Sequence, residues 1–143
     1  MKNLGLLLLL LLKIGVVNAQ SKQDQHAIIS AMDQQAKDWN NGDLNAFMQS
    51  YWQSDSLQFV GKSGVTYGYQ NTLNNYVKRY PDREAMGTLD FNYISLSFPA
   101  KGIAFMVGKF HLTRPTLGDL EGHYTLVWKK IKGKWLILSD HSS

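Results

Sequence analysis

Residues 124–143 read "YTLVWKKIKGKWLILSDHSS": two apolar runs in strand alternation on either side of Lys132-Gly133, ending in Asp140 and His141. A two-residue turn of that composition makes a hairpin. It sets Val127 opposite Leu138 and Thr125 opposite Asp140. The stretch upstream, "GIAFMVGKFHLT" (102–113), also alternates, and a turn centred on Leu117 sets Lys109 opposite Thr125 and His111 opposite His123. One sheet face then carries Phe105, Val107, Lys109, His111, His123, Thr125, Val127, Leu138 and Asp140. The other carries Met106, Phe110, Tyr124, Leu126, Trp128, Trp135, Ile137, Ser139 and His141. Both are too apolar to face water, so one is expected on helices and the other on a partner chain.

Before these strands the apolar period is helical. Ile28, Met32, Gln35 and Trp39 fall on one face of a helix that Ser21 and Asp24 fit as a capping box and Asn41-Gly42 stops. Asp43 caps a short second helix with Leu44, Phe47 and Met48 inward. A hairpin turns at Gly61-Lys62-Ser63-Gly64, and a third helix over about 69–80 turns Leu73, Tyr76, Val77 and Tyr80 to one side, ended by Pro81. Everything from Thr88 on reads as strand, interrupted at Pro99, Arg114-Pro115, Gly118 and Gly133. Helices followed by an antiparallel meander define the α+β class.

The first residues, "MKNLGLLLLLLLKIGVVNAQ", have an early Lys2, a Leu run and a Val17-Asn18-Ala19 box, the pattern of a cleaved secretory signal. Leu4 to Val17 is shorter than the about 20 apolar residues that span a bilayer. The expectation is a signal peptide over 1–19 and a single domain over 20–143, exported to the periplasm or secreted, with no membrane attachment after cleavage. There is no Cys, which excludes disulfides, thiol nucleophiles and thiolate metal sites. Loss of Lys2 and Lys13 lowers the formal charge of +4 by two, and the remaining charges are scattered, so nucleic acid is not an expected partner. No phosphate-cradling glycine loop or strained Gly-x-Ser-x-Gly turn occurs, and no cofactor is indicated.

Three stretches, "DWNNGDLNAFMQSYWQSDSLQFV" (38–60), "YGYQNTLNNY" (67–76) and the closing 124–143, resemble the superfamily typified by nuclear transport factor 2, close to its SnoaL-like and ketosteroid-isomerase-like groups. The resemblance spans essentially all of residues 20–143. It implies a cone in which a strongly curved antiparallel sheet wraps the N-terminal helices, leaves a pocket at the open end and forms a homodimer through its outer face. On the isomerase pattern the Thr125 and Asp140 face turns to the pocket and the Tyr124, Trp128 and Ile137 face outward. That pattern's hydrogen-bonding tyrosine falls on Gln35, its proton-abstracting aspartate near Val60 and its protonated aspartic acid on Thr125. Isomerase chemistry therefore lacks its groups. Tyr76 matches a pocket tyrosine and Trp39 a pocket-lining apolar position.

The expected pocket is bounded by Gln35, Trp39, Phe59, Tyr76, Lys109, Thr125 and Asp140, an aromatic enclosure suited to a small, partly apolar molecule. An inward Asp140 must be paired, hydrogen-bonded or protonated. Tuned by Lys109 or His111, it would be the acid/base group of a SnoaL-like cyclase, dehydratase or hydrolase. Alternatively it neutralises Lys109, or the fold serves association alone. His111 and His123, with Asp140 or Glu121, have only cross-strand proximity to suggest a metal, and no metal is assigned.

Overall fold

The computed structural model describes residues 21–143 in full and gives 2–20 only as part of the first helix; the expected signal peptide lies outside the fully described residues. Helix α1 (Lys2–Asn40) is followed by α2 (Leu44–Phe47), a 3-10 turn at Met48–Ser50, β1 (Gln58–Gly61), β2 (Gly64–Tyr67), α3 (Tyr69–Arg79) and α4 (Arg83–Met86). Four long strands complete the chain: β3 (Thr88–Ala100), β4 (Ile103–Thr113), β5 (Leu120–Ile131) and β6 (Lys134–Ser142). They form one sheet in the order β2-β1-β6-β5-β4-β3. The class is α+β, as the sequence implies, with one departure from a pure meander: β1 runs parallel to β6, pairing Phe59 with Asp140. Among the described residues no helix is long and apolar enough to cross a membrane.

The helical stripe packs as its spacing dictates, with Ile28, Met32, Gln35 and Trp39 all buried. Asp24 does not act as a cap. Its Oδ1 takes hydrogen bonds from Lys130 Nζ at 2.7 Å and Trp135 Nε1 at 3.0 Å, tying α1 to the last hairpin. At the other end of α1, Asn40 exchanges two hydrogen bonds with Leu89, and Arg83 donates to the carbonyls of Trp39 and Gly87. These contacts make α4, a short element absent from the sequence reading, the clamp between α1 and β3. Asp43 caps α2 as expected, accepting from Ala46 N at 2.8 Å. On α3 it is Thr72, not Val77, that is buried. Pro99 does not break β3, which is an edge strand whose free side needs no N–H donor.

The decisive feature of the sheet is a bulge. Near the Lys132-Gly133 turn, β5 and β6 pair in the expected register, Lys129 with Leu136 and Trp128 with Ile137. Leu138 is then an extra residue, and beyond it Val127 pairs with Ser139, Leu126 with Asp140 and Thr125 with His141. Because side chains alternate, one inserted residue brings Asp140 onto the same face as Ile137 and Trp128. That face, with Met106, Tyr124 and Leu126, is the buried one. The expected orientation of the two faces is thus corrected: Tyr124, Trp128 and Ile137 point to the helices, and Lys109, His111, Thr125 and Val127 point away. The β4–β5 register differs from expectation by an even step, so that Lys109 faces His123 and His111 faces Glu121 without any change of face.

Candidate functional site

The open end of the cone holds a cavity of about 470 Å³ between α1, α3 and the inner sheet face. Its wall is largely aromatic. Trp39 meets Phe47 and Tyr80 edge-on at ring-centroid distances of 5.2 and 4.8 Å, and Tyr76 meets Phe47 and Phe59 at 5.3 and 5.7 Å. On the sheet side Phe91 and Tyr124 contact at 5.4 Å. The aromatic wall depends on two glycines. Gly108 lies opposite Tyr124 and Gly122 opposite Phe110. A β-carbon at Gly108 would overlap the Tyr124 phenol, and one at Gly122 would come within 2.9 Å of the Phe110 ring. The space left at Gly108 holds the Tyr124 ring, while the space at Gly122 is taken first by the Ser143 carbonyl, with the Phe110 ring beside it.

A small polar cluster is set into this apolar wall. The segment after the 3-10 turn runs beside β6, with Trp52 N donating to Ile137 O, and this delivers Tyr51 to the neighbouring strand end. The Tyr51 hydroxyl donates to Asp140 Oδ2 at 2.6 Å, and Ser142 Oγ donates to Asp140 Oδ1 at 2.7 Å. Tyr76 lines the same cavity, near enough for the Asp140 charge to act on its phenol. Burial raises the Asp140 carboxyl above its ordinary range, and the bonds from Tyr51 and Ser142 and the nearby His141 draw it back. Burial also holds both phenols well above theirs, with the Asp140 charge acting in the same direction. Among the described residues no cation forms an ion pair with Asp140.

Gln35 contributes one further polar atom. Its Nε2 donates to the Phe47 carbonyl at 3.1 Å, while Oε1 has no hydrogen-bond partner among the described residues. The side chain is almost wholly buried and lines the cavity, so Oε1 is an acceptor available to whatever enters. The Trp39 indole N–H, by contrast, is used on Met86 O.

Of the residues that the sequence singles out, Gln35, Trp39, Phe59, Tyr76 and Asp140 line the cavity. Lys109, Thr125 and His111 do not. They lie on the outer face because the bulge is on β6 and turns Asp140 inward without turning the residues of β4 and β5. His111 Nε2 instead meets Asp119 Oδ2 at 2.8 Å on the surface, and backbone and imidazole donors hold the Asp119 carboxyl below its usual range. The Asp140–Lys109 and Asp140–His111 pairings are therefore both ruled out. Val60 is not among the cavity residues. Among the described residues no group of three or more His, Cys, Asp or Glu side chains is placed to hold a metal. Tyr51 and Ser142 carry no signal of their own in the sequence, where Tyr124 and Phe110 read only as members of the other sheet face. The glycines opposite Tyr124 and Phe110 were the available signal.

This cone, with a deep aromatic cavity at its open end, defines a cystatin-like α+β protein of the nuclear transport factor 2 type. An NTF2-like protein of unknown function from Shewanella oneidensis MR-1 is 35% identical to this chain with a TM-score of 0.80, covering 84% of this chain and 98% of its own. The chain belongs to the NTF2-like family. A domain of unknown function with a cystatin-like fold from Nostoc punctiforme PCC 73102 superposes with a TM-score of 0.72 at 17% identity, covering 85% of this chain and 76% of its own. A ketosteroid isomerase-like protein from Erwinia carotovora atroseptica SCRI1043 gives 0.63 at 15% identity, covering 82% and 93%. Neither a family model nor a curated protein matches the sequence.

Proposed function

We propose that this is an exported protein, periplasmic or secreted after cleavage behind Ala19, that binds one small, partly apolar molecule per chain in the cone cavity. The observation that carries the reading is the cavity itself: about 470 Å³ walled by aromatic rings, with the Asp140–Tyr51 pair and the Gln35 acceptor as its few oriented polar groups. That volume and composition are those of small-ligand sites. Association without a ligand would need no such space, and Trp39 and Tyr76 packed solidly on the inner sheet face would serve it.

Binding is favoured over turnover by the state of Asp140. Both of its oxygens already accept a hydrogen bond from the protein. The acid/base reading requires Lys109 or His111 beside it, and both lie on the outer sheet face, away from the cavity. The outer sheet face, where Phe105 is 39% exposed beside half-buried Val107 and Val127, is proposed as the homodimer surface.

Titration with the neutral fluorophore N-phenyl-1-naphthylamine tests the cavity reading. Saturable binding of one probe per chain, weakened at least about tenfold by Ser142→Trp, which projects an indole into the cavity, is expected. No binding, or binding indifferent to Ser142→Trp, would overturn it.

A further inference from the structure

The mouth of the cavity carries a charge pattern that the aromatic wall does not need. Lys62 at the tip of the β1–β2 turn and Lys78 and Arg79 at the end of α3 all line it, against one carboxylate, Glu121. None of the three cations makes an ion pair among the described residues. Two separate elements thus bring exposed, unneutralised positive charge to the lining of one cavity. The interior behind them is apolar, and its only carboxyl, Asp140, is occupied by Tyr51 and Ser142. A negatively charged group could not be held there. It would lie beside a carboxyl with no cation to offset either charge.

We propose that the ligand is an amphipathic anion: an apolar ring or chain that fills the aromatic cavity and carries a carboxylate, sulfonate or comparable group held at the mouth by Lys62, Lys78 and Arg79. The inference rests on the cavity-binding reading above and specifies its ligand class. The polar end stays at the rim, where the cations are exposed. The apolar body meets Phe59, Tyr76 and Tyr80. Exposed cations acting together on one anion change affinity by roughly tenfold, and salt screens the effect.

The test compares 8-anilinonaphthalene-1-sulfonate with N-phenyl-1-naphthylamine, the same skeleton without the sulfonate. Wild-type protein is expected to bind the anion about tenfold more tightly at low salt, with the advantage shrinking at high salt. Lys62→Ala/Lys78→Ala/Arg79→Ala should abolish the advantage while leaving the neutral probe unaffected. A charge-matched control, Lys22→Ala/Lys101→Ala/Lys129→Ala, should retain it. Should the triple variant fail to fold, the three single variants and the salt dependence of the wild type carry the comparison. If the neutral probe binds and the anion gains nothing, or if the control loses as much as the rim variant, the anion inference is overturned and the cavity reading stands. If neither probe binds, the cavity reading falls and this inference with it.

Discussion

The Tyr51 hydroxyl donates to Asp140 Oδ2 at 2.6 Å, and each residue is only 3% exposed. The pair joins the end of the helical layer to the last strand inside the cavity wall. Its carboxyl has donors but no cation, and burial lifts it above the ordinary range. A carboxyl whose folded value is raised contributes its full stabilisation below the unfolded value of about 3.9, and the contribution is lost as pH rises through the folded value.

Asp140→Asn does not ionise, and its amide can still accept from Tyr51 while Ser142 turns to accept from it. Its Tm relative to the wild type should therefore rise from about pH 4 toward neutrality and then level off. Thermal melts of the two proteins across that range check the sign. A difference that is flat, or that falls with pH, contradicts the account of Asp140.

Gly108→Ala should destabilise the protein by about 1–3 kcal/mol, because the new methyl occupies the space of the Tyr124 phenol. Gly118→Ala offers the comparison: no atom lies near its added methyl, so its cost is confined to the positive φ of 80°. Urea denaturation of the two variants should rank Gly108→Ala as the more damaging. Equal or reversed losses would mean that Tyr124 does not depend on the missing side chain.

Gln35→Leu removes the bond to the Phe47 carbonyl and the free acceptor Oε1 together. Its consequence for binding is specific. Affinity for 2-naphthol should fall about fivefold or more, since a bound hydroxyl loses its acceptor, while affinity for naphthalene should change little. Calorimetric titration of both compounds separates this from general damage to the cavity, which would weaken both alike.

Phe105→Glu places a charge at the centre of the outer face without touching the cavity. Light scattering coupled to size exclusion should find a dimer for the wild type and a monomer for the variant, with the cavity still binding N-phenyl-1-naphthylamine. A wild-type monomer would remove the dimer proposal.

The elements were largely legible because their signals are local: the Ile28-Met32-Gln35-Trp39 stripe, the Asp43 cap and the Lys132-Gly133 turn each act over a few residues. The faces were not. Alternation carries parity from a turn outward, and a single extra residue at Leu138, which looks like any strand residue, reverses it. Asp140 was expected inward and is inward, but without Lys109, Thr125 and His111, whose strands have no such insertion. The same limit hid Tyr51, whose partner lies 89 residues away and is reached only through the bridge of its segment to Ile137. The places of Gln35, Trp39 and Tyr76 follow from helix periodicity and the family resemblance, neither of which depends on the bulge.

Native mass spectrometry of the protein as purified, followed by denaturing extraction, tests the central claim most directly. A mass in excess of the chain, one copy per subunit and released on unfolding, is the predicted result. A bare protein that also fails to take up N-phenyl-1-naphthylamine would contradict a ligand-binding role for the cavity.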